Sequence, residues 1–425
     1  MKTAMFGALL CLVVGAGSAS GDDWPAFRGA NGDGISNEKT APSEWGPDKN
    51  VKWKAALPFR GNGSPIVSNG KVFVTCPEDR DGKKRSLYCF DRKDGKKLWV
   101  ATVDHGKPER THGTNPHSSS TPLADGKHVI AWHDSAGLFC YDFEGKEIWK
   151  RELGEFDHMW GSGISPILHG GKLILHCGPG KKVFVTALDP ATGKTLWQTD
   201  EPVKGDGDTN PGGQPMGSWC TPVVVKVAGK DQIICSMPTR VVAYDPADGK
   251  VIWWCEGLSF KKGDLAYSSP VIAGDLCIIM GGYNGPRFAV KLGGSGDVTQ
   301  THRVWRNHDD DRTPQNIGTG VTIDGFVYWP YASPPRQSIE CLDPKTGTVV
   351  WSEKQKAPFW GSITYAGGKM YVTDQEGNTV VFKPNSTKFE LVATNSLKEQ
   401  SNTTPAVSDG QIFIRTFKNL YCIGE

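Results

Sequence analysis

A turn followed by a tryptophan recurs along this chain at regular intervals. The clearest copy is Ala187-Leu-Asp189-Pro-Ala-Thr192-Gly193-Lys-Thr-Leu-Trp197. Copies with the same spacing end at Trp99, Trp253 and Trp351, and a copy that is one residue shorter ends at Trp149. A repeat this long indicates supersecondary units that stack side by side. The repeat therefore constrains the scaffold strongly and the activity only weakly.

Each repeat unit has the pattern of four antiparallel strands. Most units open with Ser or Thr before Pro, which is tolerated at the first residue of a strand, at Ser64, Thr121, Ser165, Thr221, Ser269 and Thr404. A tight Asn-Gly, Asp-Gly or Gly-Gly turn typically follows and predicts a hairpin. The third strand ends at the repeat Asp, whose side chain and Gly suit a chain reversal into the Trp strand. Four such strands form one blade of a β-propeller.

Counting the tryptophan strands gives the number of blades. Six blades end at Trp99, Trp149, Trp197, Trp253, Trp305 and Trp351, and Phe389 takes the place in the seventh. The chain stops at Glu425, so the eighth blade lacks this strand, and residues 51–57, which carry Trp53, supply it. The sequence predicts an all-β, eight-bladed propeller over residues 50–425, closed by an N-terminal strand. The alternative is a seven-bladed ring with one unit outside it.

The first residues differ from the rest of the chain. Residues 1–20 have Lys2 as their only charge, an apolar run and small residues at the end, which predicts a signal peptide. Residues 21–49 form an irregular N-terminal segment. No other stretch is long and apolar enough to span a membrane. We expect an exported, periplasmic or extracellular monomer. The net charge of +2, without a basic block, argues against a nucleic-acid partner.

The pattern Ala-x-Asp-x-x-Thr-Gly-x-x-x-Trp resembles the repeat of the pyrroloquinoline quinone (PQQ) family. That family includes dehydrogenases, which hold PQQ and Ca²⁺ on the ring axis and oxidise alcohols or sugars. It also includes non-catalytic exported scaffolds of the BamB type. The resemblance implies that the repeat tryptophans form a structural girdle between blades, made of Trp53, Trp99, Trp149, Trp197, Trp253, Trp305 and Trp351.

Several features of the dehydrogenase branch are missing from this sequence. There is no adjacent pair of cysteines, and no carboxylate set for an axial Ca²⁺ can be placed. Residues 206–210 fail the EF-hand pattern, and Asp309-Asp310-Asp311 is a charge run typical of a solvated face. His112 and His117 lack a recognised zinc spacing. We assign no metal and no catalytic residue. We favour a binding or scaffolding protein with a protein or small polar ligand as partner, and keep a PQQ- and Ca²⁺-dependent dehydrogenase as the alternative.

A propeller offers one place for a ligand that the repeat itself locates. The inner strand of each blade starts beside the central channel, so residues just before it should line one mouth. These are Asn62, Asn115, His117, Ser118, His158, Trp160, Gln214, Trp219, Tyr267, Asn316, Trp360 and Asn402. A polar and aromatic set with few charges suits a neutral polyol, a sugar or a planar ring. The alternative is that these residues only seal the channel. The ten cysteines after the signal peptide are expected to be buried core residues.

Overall fold

Antiparallel strands account for nearly all regular structure in this protein. The computed structural model describes residues 23–307 and 314–425. The predicted signal peptide and the charge run Asp309-Asp310-Asp311 lie outside these ranges. Within the described residues, the helices are the 3-10 turn Asp134–Ala136 and α1, the four-residue helix Thr299–His302. No helix in these two ranges is long and apolar enough to cross a membrane.

The first four blades follow one another along the chain, after the N-terminal strand β1 (Val51–Ala56). Blade 1 contains β2 (Ile66–Ser68), β3 (Lys71–Pro77), β4 (Lys84–Asp91) and β5 (Lys97–Asp104). Blade 2 contains β6 (Leu123–Ala124), β7 (His128–Trp132), β8 (Leu138–Asp142) and β9 (Glu147–Arg151). Blade 3 contains β10 (Ile167–His169), β11 (Lys172–Cys177), β12 (Val183–Leu188) and β13 (Thr195–Glu201). After β14 (Met216–Ser218), blade 4 contains β15 (Val223–Val227), β16 (Lys230–Ser236), β17 (Arg240–Tyr244) and β18 (Val251–Glu256).

The other four blades include two insertions. The first insertion consists of β19 (Ser259–Phe260) and β20 (Gly263–Ala266) and precedes blade 5. Blade 5 contains β21 (Val271–Ala273), β22 (Leu276–Met280), β23 (Arg287–Lys291) and β25 (Arg303–Arg306). The second insertion, β24 (Gly296–Asp297) and α1, lies before β25. Blade 6 contains β26 (Val321–Ile323), β27 (Phe326–Pro330), β28 (Ser338–Leu342) and β29 (Val349–Lys354). Blade 7 contains β30 (Thr364–Ala366), β31 (Lys369–Thr373), β32 (Asn378–Lys383) and β33 (Glu390–Ser396). Blade 8 contains β34 (Ala406–Ser408), β35 (Gln411–Arg415) and β36 (Asn419–Ile423), and β1 completes it.

The ring closes as the sequence predicts. Strand β1 pairs antiparallel with β36, and Trp53 lies opposite Cys422 in that pairing. The described residues therefore form eight sheets of four or more strands, and one of them joins the first strand to the last three. Closure leaves no blade missing its outer strand, and it removes an open sheet edge. The all-β propeller prediction is confirmed, and the sheets are consistent with eight blades, which we favour over the seven-bladed alternative.

Burial follows the position of a strand within its blade. Every residue of β12, the third strand of blade 3, is buried, because neighbouring blades cover both of its faces. The outer strand β5 instead alternates between half-buried and exposed residues. Apolar clusters join adjacent blades, as where Phe73 of β3 and Phe139 of β8 share one cluster. All ten described cysteines are buried and free, as expected for core residues.

Most of the repeat tryptophans connect their blade to the next. Six of the seven indole N–H groups donate to a backbone carbonyl in the turn of the following blade, at Arg92, Phe143, Pro190, Pro246, Pro344 and Asn385. Trp253 is the exception and donates to Gln232 Oε1 within its own blade. The turn of blade 5 is replaced by the insertion that carries β24, which pairs with β18 instead.

Blade 7 departs from the predicted pattern. The repeat Trp elsewhere lies opposite a small residue of the third strand, as Trp351 lies opposite Cys341. In blade 7 the equivalent pair is Val381 and Ala393, so Ala393, and not Phe389, occupies the tryptophan position. Phe389 precedes the strand and packs edge-on against Trp351, with ring centroids 5.7 Å apart. The prediction for Phe389 is wrong because the turn before β33 lacks the Asp-Gly pair that sets the spacing.

The N-terminal segment crosses one end of the central channel. Trp24 exchanges two backbone hydrogen bonds with Val67 of β2. Farther along, the Gly34 carbonyl accepts a hydrogen bond from the Tyr365 N–H of β30. Between these points the buried Arg28 guanidinium donates to the carbonyls of Thr319 and Gly320. The segment thus blocks the mouth opposite to the one predicted to bind a ligand.

Candidate functional site

Eight hydroxyl side chains form a closed ring around the channel. One comes from the start of each blade, and Ser and Thr alternate, in the order Ser64, Thr121, Ser165, Thr221, Ser269, Thr319, Ser362 and Thr404. At seven of the eight joints, the backbone N–H of one member donates to the hydroxyl oxygen of the next, over 2.9–3.1 Å. At the eighth joint, Ser269 Oγ donates to the Thr221 carbonyl over 2.8 Å. The repeat places these residues, since each precedes an inner strand.

The hydroxyl ring is the floor of an axial cavity of about 200 Å³, to which all eight members contribute. Seven of these hydroxyls accept a hydrogen bond from a backbone N–H. Their own O–H groups have no acceptor among the described residues, so they remain available as donors. Phe27 of the N-terminal segment also lines this cavity, and it lines a second cavity of about 640 Å³ on the opposite face. The N-terminal segment therefore closes the pocket from below.

Aromatic side chains form one wall of the pocket. Trp160 and Trp219 lie with ring centroids 5.9 Å apart and planes inclined by 34°. Tyr267 meets Trp219 edge-on at 5.3 Å, and Tyr283 meets Trp160 edge-on at 5.3 Å. The Trp219 indole N–H donates to the Gly161 carbonyl, which fixes that ring. Burial raises the pKa of Tyr267 well above its ordinary value, and the nearby Tyr283 adds to this, so its hydroxyl stays protonated at physiological pH.

Amide side chains form the facing wall. Asn62 and Asn402 both donate to the Thr114 carbonyl, over 3.0 and 2.9 Å. Asn115 donates to the carbonyls of Trp160 and Ser162, over 2.8 and 2.9 Å. The wall is thus held by a loop, residues 105–118, that reaches over the start of blades 1 and 8. These bonds satisfy the amide N–H groups and fix the pocket's shape.

A buried ion pair anchors that loop at its other end. Arg85 is fully buried, and its guanidinium donates to Glu109 of the loop and to the His133 carbonyl. Burial raises the pKa of Glu109, but the Arg85 charge and the hydrogen bonds from Ser135 and Arg85 together outweigh it, so the pKa lies below its ordinary value. Burial, with the Arg85 charge, lowers the pKa of His117 to about 4 and that of His133 to about 3. Both imidazoles are therefore neutral at physiological pH.

Seven of the twelve residues predicted at the mouth line the cavity. They are Asn62, Asn115, Trp160, Trp219, Tyr267, Trp360 and Asn402. The other five lie outside it, namely His117, Ser118, His158, Gln214 and Asn316.

Local geometry explains why those five residues lie elsewhere. The backbone of Ser118 has a φ of 58°, which turns its side chain away, and His117 lies beneath the loop near Arg85. His158 packs behind Trp219, at 5.1 Å between centroids, and meets the Met216 carbonyl. Asn316 is buried and donates to Ser268 Oγ.

The remaining predicted residue, Gln214, belongs to an insertion and not to the ring. It lies in the loop before β14, where its carbonyl accepts the Asn210 N–H. Its neighbour Asn210 in turn bonds Asp264 in the following insertion. Gln214 therefore contributes to the rim structure that supports the aromatic wall.

The structure adds residues that the repeat could not locate. These are Phe27, His112, Thr114, Ser119, Tyr283, Gln315 and Ile317, together with the hydroxyl ring. Phe27 comes from the irregular N-terminal segment, and Tyr283 lies between β22 and β23. No repeat position has a counterpart of either residue. Six of the eight ring hydroxyls belong to the Ser/Thr-Pro steps that mark strand starts, so a sequence signal for the ring exists.

The described lining of the pocket is uncharged. Among the described residues that line it, none is Asp, Glu, Lys or Arg. No group of three or more His, Cys, Asp or Glu in the described ranges could hold a metal ion. PQQ is a tricarboxylate, and in an enzyme site it needs cationic partners and an axial Ca²⁺ held by carboxylates. The residues of this pocket therefore do not fit PQQ with Ca²⁺.

Comparisons with known proteins agree with this fold. The family described as "Outer membrane protein assembly factor BamB" matches residues 43–116, 83–328 and 335–423. The outer membrane protein assembly factor BamB of Yersinia pestis is 24% identical over 330 residues, which are 75% of each chain. The quinohemoprotein alcohol dehydrogenase from Comamonas testosteroni superposes with a TM-score of 0.67 at 14% identity, over 95% of this chain and 81% of its own.

A solved BamB structure is also similar. BamB from Moraxella catarrhalis superposes with a TM-score of 0.53 at 17% identity, over 79% of this chain and 85% of its own. At these identities the two structural matches show the fold alone. The family match, by contrast, extends over most of the chain and includes the repeat units of the ring. The chain belongs to the family of PQQ-like repeat propellers that is described as outer membrane protein assembly factor BamB.

Proposed function

We propose that this protein is an exported, non-catalytic binding propeller of the cell envelope. Its ring serves as a scaffold, and its axial pocket takes an uncharged ligand. The observation that carries the proposal is the chemistry of the pocket, whose lining has aromatic rings, amides and hydroxyls but no Asp, Glu, Lys or Arg among the described residues. A ligand with a net charge would lose its hydration there without gaining a counter-charge, which is costly.

The same lining speaks against the alternative, a quinone-dependent dehydrogenase. Alcohol or sugar oxidation needs a base that takes the hydroxyl proton, and its pKa must suit the operating pH. Of the described lining residues, His112 alone has a side chain of the type that commonly acts as a base, and it lies exposed with Nδ1 against Thr114 Oγ1 at 2.8 Å. The similarity to an alcohol dehydrogenase is a similarity of fold, at 14% sequence identity.

The family relationship supports the scaffold part of the proposal. The relatives named BamB are outer membrane protein assembly factors, and the sequence predicts that this chain is exported as well. A ring whose two ends pair in one blade is a rigid frame. We infer a periplasmic or extracellular location from the predicted signal peptide, and a protein partner from the relatives.

A titration with PQQ tests the proposal against its alternative. The purified protein is heated with increasing PQQ, with and without Ca²⁺, and its unfolding temperature is followed. A specific ligand at one hundred times its Kd would add about 2.7 kcal/mol of stability. We expect no saturable shift under either condition. A saturable shift that requires Ca²⁺ would overturn the binding-protein proposal and favour the dehydrogenase.

A further inference from the structure

We infer that the axial pocket binds a single neutral pyranose ring, such as the end residue of a glycan. This inference rests on the proposed function, because it names the class of the uncharged ligand. It draws on three properties of the pocket, namely its supply of hydrogen-bond donors, the grouping of four of its aromatic rings, and its size.

The pocket offers many donors to a ligand that carries no charge. Seven hydroxyls of the floor have protons without an acceptor among the described residues. The indole N–H groups of Trp160 and Trp360 and the hydroxyl of Tyr267 likewise have no hydrogen-bond partner within the described ranges. A donor-rich, uncharged site matches a ligand with several oxygen acceptors, because each buried donor then gains a partner.

The walls of the pocket differ in chemistry, and this difference favours a sugar over a flat aromatic ring. The rings of Trp160, Trp219, Tyr267 and Tyr283 contact one another at inclined or edge-on angles, whereas Trp360 lines the cavity apart from this group, and Asn62, Asn115 and Asn402 contribute polar edges. A planar ring would be held best between two parallel aromatic walls. A pyranose has one face of C–H groups that can lie against an indole and hydroxyls at its edge that can reach polar groups.

The dimensions limit the ligand to about one ring. The cavity of about 200 Å³ is below the roughly 300–1,000 Å³ of sites for drug-sized ligands. Phe27 closes the pocket from below, so a glycan chain cannot pass through the ring to the opposite face. The pocket is therefore a blind end that would accept a terminal residue or a monosaccharide.

Binding of simple glycosides tests this inference. The purified protein is titrated by calorimetry with neutral methyl glycosides of glucose, galactose, mannose and N-acetylglucosamine. Glucuronic acid and inorganic phosphate serve as charged probes, and 1,4-naphthoquinone serves as a planar neutral probe. We expect saturable binding of at least one neutral glycoside and at least tenfold weaker binding of the charged probes.

Variants locate the site. Trp160→Ala should weaken the glycoside at least tenfold, and Tyr267→Phe, which keeps the ring and removes only the donor, should weaken it about threefold to tenfold. Phe59→Ala is the matched control, because Phe59 is 40% exposed and lies outside the cavity. If Trp160→Ala does not fold, Tyr267→Phe alone decides whether the glycoside occupies this pocket.

The outcomes separate the two proposals. Failure of every glycoside to bind at 50 mM, or equal binding to the Tyr267→Phe variant and the unchanged protein, would overturn the sugar inference. Tighter binding of phosphate or glucuronic acid would overturn it too, and would contradict the uncharged-ligand proposal as well. Binding of the naphthoquinone alone would overturn only the sugar inference. A Ca²⁺-dependent shift with PQQ would overturn the proposed function itself.

Discussion

The backbone N–H of Thr404 donates a hydrogen bond to the hydroxyl of Ser64 over 3.0 Å, so the last blade is joined to the first. Those two residues are 340 positions apart in sequence. The same bond, repeated at six further joints, fixes the distance from each blade to the next. The hydroxyl ring is therefore both the floor of the pocket and the inner fastening of the propeller.

Ser64→Ala should destabilise the protein by about 1–3 kcal/mol, because it leaves the buried Thr404 N–H without an acceptor. Ser269→Ala is the matched control. Ser269 alone uses its hydroxyl as a donor to a carbonyl, and an unpartnered carbonyl is tolerated better than an unpartnered N–H. Unfolding in denaturant measures both variants. An equal or larger loss for Ser269→Ala would show that the accepting role of the hydroxyls is not what holds the ring.

Gly347→Ala should cost more stability than Gly70→Ala. Both glycines lie in turns with nearly the same backbone φ, +74° and +73°. An alanine in this left-handed conformation should lower the free energy of unfolding by about 1–2 kcal/mol at either position. At Gly347 an added Cβ would also lie 2.7 Å from the Trp305 ring, whereas at Gly70 it would meet nothing within 4 Å. We expect a further loss of about 1–3 kcal/mol at Gly347. An equal decrease in unfolding temperature for the two variants would show that the contact between the turn and the Trp305 indole does not contribute.

Arg28→Ala should release the N-terminal segment from the channel. The guanidinium donates to carbonyls of Thr319, Gly320 and Ile363, and burial lowers its pKa to about 10, so it stays charged at neutral pH. Removal takes one hydrogen bond from each of these carbonyls, although the Thr319 carbonyl still accepts the Ile363 N–H. Limited chymotrypsin digestion should then cut near residues 24–27 at least tenfold faster. Arg110→Ala is the control, because that side chain is 51% exposed. An unchanged cleavage rate in Arg28→Ala would contradict its role as the anchor.

Acid should destabilise the protein through its buried histidines. Burial lowers the pKa of His176 to about 4, although its bond to the Cys220 carbonyl opposes the shift. The unfolded chain takes up a proton below about pH 6.5, whereas the folded chain does not until pH 4. The free energy of unfolding is therefore unaffected by His176 above pH 6.5. It falls by about 3 kcal/mol as the pH decreases from 6.5 towards 4.

His176→Asn tests that pH dependence, because an Asn amide can keep the bond to Cys220 and does not titrate. The variant should show a flatter loss of unfolding temperature between pH 7 and pH 4.5 than the unchanged protein. His112→Asn is the control, since His112 is exposed. If the His176→Asn and unchanged proteins have parallel pH profiles, the burial of the neutral imidazole does not explain the acid sensitivity.

Much of the ring could be predicted because its signals are local and repeated. The Asp-x-x-Thr-Gly turn has one spacing to the Trp, and five turn glycines of this kind lie directly against the indole of the preceding blade. Trp53 could be assigned to the last blade because the pattern left one strand missing. The prediction failed at blade 7, where Ala393 has no side chain that marks the repeat position.

The pocket could be predicted only in part, for a physical reason. Residues that immediately precede an inner strand, such as Asn62 and Asn402, are held by the repeat and lie where expected. Phe27 and Tyr283 reach the pocket from segments without a counterpart in other blades. His158 does not line the cavity for a different reason. It packs against Trp160 and Trp219, and Trp160 lies between it and the cavity.

The pairing of β1 with β36 has a consequence for how the protein is made. Val51 lies opposite Ile423, so the strand that carries Trp53 has no partner until nearly the whole chain has been synthesised. Contacts between such distant segments slow folding. During that time the Trp53 side chain and an open sheet edge stay available to other chains, which favours aggregation. Until β36 has been synthesised, β1 must therefore be kept from pairing with other chains. This requirement applies only during biosynthesis and ends when the ring closes.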